Sequence, residues 1–144
     1  AVEADAAAIV LVVSADMLRR LECAYALRLH SARRVGVDPA EPALGAQAAA
    51  RLLLARAERP AAAVEMMEAF ASQAICAIED LKLNAPTVNR GGGALSRGHP
   101  IGASGAILAI RLFHEMKREE PGALGLAAIA AAGGLGSAAL FERI

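Results

Sequence analysis

The first strong pattern along the chain is an unbroken apolar run, Ala7 to Val13, rich in Val and Ile. Runs of this length are typical of strands buried on both faces, so it predicts a first strand. Ala15 to Glu22 reads as a short helix, with Ser14 or Asp16 available near its start. Ala24 to Ser31 predicts a second strand, and Val37-Asp38-Pro39 a turn. From Gly45 to Arg59 the spacing is helical: Ala46, Ala49, Ala50, Leu53 and Leu54 share a face, and Pro60 stops the helix. Val64 to Phe70 predicts a strand or its exit. Ser72 to Leu81 predicts a helix with Ala74, Ile75, Ile78 and Leu81 on one side.

The second half is more regular. Val88 to Leu95 predicts a strand entering the glycine turn of Gly91, Gly92 and Gly93. Ala103 to Arg118 is the clearest helix, with Ala106, Ile107, Ile110 and Phe113 expected inward and Arg111, Glu115 and Arg118 outward. Pro121-Gly122 breaks it. Leu124 to Ala131 and Ser137 to Arg143 predict two closing strands joined through Gly133, Gly134 and Gly136. The order β-α-β-α-β-α-β-α-β-β describes an α/β chain, a layered sheet flanked by helices, with residues 1–144 expected to form a single domain.

Composition sharpens this picture. At 144 residues, 56% hydrophobic but only 3% aromatic, the core must be built from Ala, Leu, Ile and Val. Fifteen basic residues balance fifteen acidic ones, which leaves no electrostatic case for nucleic acid or an anionic membrane as partner. Two cysteines, Cys23 and Cys76, fit no metal or disulfide spacing, and a reducing cytoplasm is the expected location. Cys76 falls within an apolar helical pattern and is expected to be a buried, inert thiol. No basic segment precedes the first apolar run, which is too short to span a bilayer. A chain that opens at Ala1 is expected to be a processed product or part of something longer.

Chemistry concentrates in Val88 to Gly105, VNRGGGALSRGHPIGASG. Its glycines permit positive φ or close backbone approach. His99 precedes Pro100 and is pushed into extended conformation, while Pro100 is well placed to open a helix. An imidazole is thus expected beside free N–H groups at a helix N-terminus, where developing negative charge is favoured. The glycines do not match G-x-G-x-x-G, and no acidic residue follows where a dinucleotide site needs one.

This segment resembles the GHP segment of the thiolase family, roughly V-N-x-x-G-G-A-x-A-x-G-H-P-x-G-A-S-G. Val88, Asn89, Gly92, Gly93, Ala94, Gly98, His99, Pro100, Gly102, Ala103, Ser104 and Gly105 fall in register, and Ser96 replaces an alanine. The element order is similar to the C-terminal half of a thiolase, which implies a mixed β-sheet flanked by helices. Asp5 to Leu11 loosely resembles the family's opening strand, and Pro42 to Gly45 its turn before a helix.

Thiolases transfer acyl groups on coenzyme A thioesters through a nucleophilic cysteine. The resemblance implies that His99 is the histidine that activates that cysteine. Met67 stands where the family's N-E-A-F asparagine holds the water of one oxyanion hole, and a thioether is only a weak acceptor. Ala130 stands where a second cysteine moves the α-proton, and a methyl group carries no proton. Ala132 replaces a glycine whose N–H lines the other oxyanion hole. Ser104 and Gly105 are candidate substrate-binding residues.

The nucleophile belongs to the family's N-terminal domain, and neither Cys23 nor Cys76 takes its place. The resemblance therefore implies the C-terminal half or subunit of a thiolase-like acyltransferase. Its substrate would be an acyl-CoA thioester with no covalently bound cofactor, and a thiolase N-terminal-like partner would complete a hetero- or homo-oligomer. The alternative, motivated by Met67 and Ala130, is a non-catalytic scaffold or acyl-CoA-binding subunit.

Overall fold

The computed structural model describes all residues, Ala1 to Ile144. Its elements are α1 (Ala15–Arg20), β1 (Leu27–Gly36), α2 (Gly45–Leu54), β2 (Ala61–Met66), α3 (Ala71–Asp80), α4 (Ala94–Arg97), α5 (Ser104–Met116), β3 (Leu124–Ala131) and β4 (Leu135–Arg143). Single 3₁₀ turns at Pro42–Leu44 and Ala85–Thr87 precede α2 and the glycine segment. The sheet is four-stranded, in the order β1-β4-β3-β2. β2 and β3 are parallel, whereas β4 runs antiparallel to both β3 and β1. This is the mixed, helix-flanked α/β sheet that the sequence predicts.

The main core lies where α2 and α3 cover the sheet. Ala46, Ala49, Ala50 and Leu53 of α2 and Ala77 of α3 pack on Val64, Met66, Leu126, Ala128, Ala138 and Leu140. Small alanines let α2 approach closely. At its first residue the approach becomes backbone on backbone, because a Cβ on Gly136 would sit 1.9 Å from the Gly45 carbonyl oxygen. An ion pair from Arg51 to Asp80 ties α2 to α3. On the other side α5 buries Leu112 and Met116 against Ala63, and Leu108 against Met67 and Ala94. Those pairings make α5 antiparallel to β2, as the crossover into the parallel strand β3 requires.

Several expectations change. Ala7 to Val13 forms no strand: it crosses the surface with Ile9 92%, Leu11 77% and Val12 87% exposed. A buried strand needs partners on both edges and both faces, and nothing else in this chain supplies them. Val88 to Leu95 is not a strand either. Val88 makes one parallel bridge to Val64, and then Asn89 (φ 46°) and Gly92 (φ 86°) turn the chain into α4. β1 starts at Leu27 and runs to Gly36, and β2 occupies Ala61–Met66, so Met67 to Phe70 leave the sheet.

The helix faces are also rotated. α2 stops at Leu54, where Arg56 and Ala57 bond to the carbonyls of Leu53 and Leu54 and tighten the last turn before Pro60. α3 buries Gln73, Ala74 and Ala77, which leaves Ile75 and Cys76 exposed; the buried thiol expected from the apolar pattern is not one. α5 turns Ser104, Leu108, Leu112 and Met116 inward rather than Ala106, Ile107, Ile110 and Phe113. Phe113 stacks at 4.4 Å on Tyr25, whose phenol burial pushes up to about 12. Arg111, expected outward, reaches in to Glu65.

Candidate active site

The GHP segment is held from three sides. Asn89 is buried and doubly bonded to the end of β2: its Oδ1 accepts from Met66 N at 2.8 Å and its Nδ2 donates to Met66 O at 2.9 Å. Asparagine tolerates the left-handed conformation it adopts here, which is what turns the chain toward α4. Glu68 completes the clamp, accepting from Asn89 Nδ2 with one oxygen and from Leu95 N at 3.1 Å with the other. Its carboxylate lies over Gly93, where any Cβ would overlap it at 1.9 Å. The sequence reading missed Glu68 and Asn89 as partners; the one available signal was an asparagine placed just ahead of three glycines.

His99 lies between this loop and α5. Its backbone is extended, as the following proline dictates: His99 N donates to Val2 O at 2.7 Å, and Ala4 N to His99 O at 3.3 Å, in a parallel bridge. Gly98, at φ 87°, makes room for Ala4. The ring is half-buried and its Nδ1 lies 2.7 Å from Ser104 Oγ, whereas Nε2 has no hydrogen-bond partner in the chain. Ser104 is buried at the start of α5, and its hydroxyl also bonds Pro100 O at 3.0 Å. Gly105 is exposed, and a Cβ there would meet nothing within 4 Å.

The other sequence candidates gather at the same end of the sheet. Because α5 is antiparallel to the parallel pair β2 and β3, its N-terminus lies beyond their carboxyl ends, the edge at which sheets of this kind present ligand sites. Met67 is the first residue past β2, bonded through its N–H to Ala128 O at 2.9 Å. Its side chain is buried with Ala94 and Leu108, so it fills an apolar niche under α4. Ala130 is near the end of β3, opposite Gly136 and against the main core. Ala132 opens the β3–β4 turn, exposed and without positive φ, and Gly133 and Gly134 take the left-handed positions. Alanine therefore fits at position 132, and its N–H donates to no group of the chain. No hydrogen bond joins His99 to Met67, Ala130 or Ala132.

One further pair lies behind the loop. Glu65 on β2 is fully buried; its Oε2 accepts from Arg111 Nε at 3.0 Å, and its Oε1 has no partner. Burial pushes its carboxyl above the usual range, and Arg111 opposes that shift. Cys23 and Cys76 are both free and exposed. No group of His, Cys, Asp and Glu side chains converges as a metal site, and no helix is long and apolar enough to cross a membrane.

Comparison with known proteins identifies the family and the fold. The family model described as thiolase, C-terminal domain, matches residues 24–143. The chain is 38% identical over 142 residues to an acetyl-CoA acetyltransferase of Cupriavidus necator, covering 96% of this chain and 36% of that protein. It is 37% identical to the beta-ketothiolase BktB of the same organism, with 97% and 36% covered. Among solved structures, the Acat5 thiolase from Ascaris suum in complex with coenzyme A superposes with a TM-score of 0.81 at 31% identity, over 91% of this chain and 34% of that one. The Bacillus anthracis acetyl-CoA acetyltransferase gives 0.80 at 30% identity, with the same coverage. The chain thus spans about a third of the length of these relatives. The matched residues 24–143 include the GHP loop and the glycine turn, and the chain belongs to the thiolase family as its C-terminal domain.

Proposed function

We propose that this chain is the C-terminal half of a thiolase-like acyltransferase acting on acyl-CoA thioesters. The nucleophilic cysteine comes from a thiolase N-terminal-like half, on the same polypeptide or on a partner subunit. The observation that carries this reading is His99 itself: an imidazole fixed at the N-terminus of α5 with Nε2 free to receive a thiol proton. The unpaired N–H of Ala132 at the same end of the sheet supports it as a donor to a thioester oxygen. Open space at Gly105 supports close approach of a substrate to the first turn of α5.

Exposed apolar side chains support the need for a second half. Ile9, Leu11 and Val12 lie bare, and so do Phe70, Leu95 and Ile101 beside the site segments. A protein with its natural partners in place rarely leaves so much apolar surface in water. Acyl transfer between thiols needs the cysteine and His99. Carbon–carbon bond formation also needs an α-proton acceptor, which Ala130 cannot provide and Met67 does not assist. The proposed chemistry is therefore strongest for formation of the acyl-enzyme and weakest for condensation.

Met67 and Ala130 also favour a second reading, an acyl-CoA-binding scaffold without catalysis. His99→Ala in the intact assembly separates the two. Loss of a general base lowers acyl-transfer turnover by about 10²- to 10⁴-fold, with folding retained. An unchanged rate would leave the scaffold.

A further inference from the structure

We propose that Arg97 and Arg111, which both reach the Gly91–Gly92 turn, form a binding site for a dianionic phosphate group. The site is built from this chain's own residues and does not depend on the chemistry proposed for His99. Arg97 leaves the end of α4, and its Nε donates to Gly92 O at 2.8 Å. Arg111 comes from α5 and lies directly against Gly91, where an added Cβ would sit 2.6 Å from Arg111 Nη2. Guanidinium groups from two elements thus meet adjacent residues of one turn. Their terminal N–H groups donate to nothing in the chain. The backbone N–H of Gly91 has no partner either, and Gly91 is exposed.

The carboxylates nearby leave these two cations unbalanced. Glu65 takes only Arg111 Nε, through Oε2, and its other oxygen is buried without a partner. Glu68 has both oxygens committed, to Asn89 Nδ2 and Leu95 N. Arg90, the next cation along the loop, is already held by Glu119 and Ala62 O. Arg97 therefore has no carboxylate bonded to it. Burial first, and then the charge of Arg111, hold its guanidinium below the usual range, against the pull of Glu65 and Glu68. A surface arginine ordinarily escapes such repulsion by swinging into water, but the bond to Gly92 O keeps this one beside its neighbour. Water satisfies the free donors without offsetting the repulsion; an anion does both. Guanidinium forks match the oxygens of a phosphate, and a phosphate monoester carries close to two negative charges at neutral pH. A carboxylate neutralises only one of the two cations.

The test is calorimetric titration of the intact assembly with inorganic phosphate in a chloride buffer. Saturable binding is expected, and Arg97→Gln should weaken it by about 10-fold or more. Arg97→Lys keeps the charge but loses the fork, so it recovers only part of the affinity. Arg97 is the informative position because it is exposed, whereas removing Arg111 also strands Glu65. Coenzyme A and its 3′-dephospho form then separate two sources of the phosphate. If the site holds the 3′-phosphate of coenzyme A, its removal weakens binding to the wild type but not to Arg97→Gln. If it holds a free phosphate, the two forms bind alike and inorganic phosphate binds alongside them. Either result supports the site. A wild-type assembly that binds no phosphate, as when a partner carboxylate already occupies the arginines, overturns it. So does equal affinity in Arg97→Gln. The titration reads binding rather than turnover, so an assembly that binds phosphate but transfers no acyl group would sink only the proposed function.

Discussion

Glu65 shows how one residue ties the site's support to pH. Burial raises its carboxyl, so between the ordinary carboxylate range and the raised folded value the folded chain binds more proton there than the unfolded chain does. The stability this group contributes is therefore complete below the ordinary carboxylate range and is lost as pH rises through its raised folded value. Arg111 limits that loss by pairing with Oε2. Arg111→Met removes the counter-charge from a fully buried carboxylate, a change that costs about 3 kcal/mol where the carboxyl is ionised. Denaturant unfolding at pH 5 and at pH 8 checks this. The expected penalty is clearly larger at pH 8, and Glu65→Gln should flatten the difference. Equal penalties at both pH values would mean the pair is solvated.

At the scale of elements, the contact of α2 with β4 sets the tolerance for change. Gly136→Ala forces a methyl group against the Gly45 carbonyl, a rigid backbone atom, and the expected loss is about 3 kcal/mol. Gly105→Ala, with open space around it, leaves the thermal midpoint unchanged or slightly raised. A thermal melt of the two variants that showed equal shifts would contradict the packing described for α2.

The same scale explains what the sequence made legible. α2, α5, β3 and β4 follow from periodicity because each buries one stripe or a whole strand. The extended backbone at His99, just ahead of a helix, was legible because Pro100 and the glycines act locally. Periodicity could not choose between adjacent stripes of α5, which is apolar most of the way round; the choice came from where Ala63 and Met67 offer room. It also misread Ala7 to Val13 and Val88 to Leu95, since apolar runs become strands only beside a pairing edge. The Glu68–Asn89 clamp depends on contacts between residues 21 apart, which no local pattern carries.

At the scale of the whole molecule, the features at the carboxyl edge of β2 and β3 make sense as half of a site. His99 has a free Nε2 but no thiol beside it in this chain, and Cys23 and Cys76 lie outside the described constellation. Exposed apolar residues mark surface that a second half would cover. The central claim is that a cysteine outside these 144 residues takes an acyl group with His99 as its base. The measurement is mass spectrometry of the intact assembly, purified gently from its source and incubated with acetyl-CoA, followed by peptide mapping. The account predicts a stoichiometric acetyl group on a cysteine of a thiolase N-terminal-like half, absent in His99→Ala. No such half, no adduct, or an adduct on Cys23 or Cys76 would contradict it.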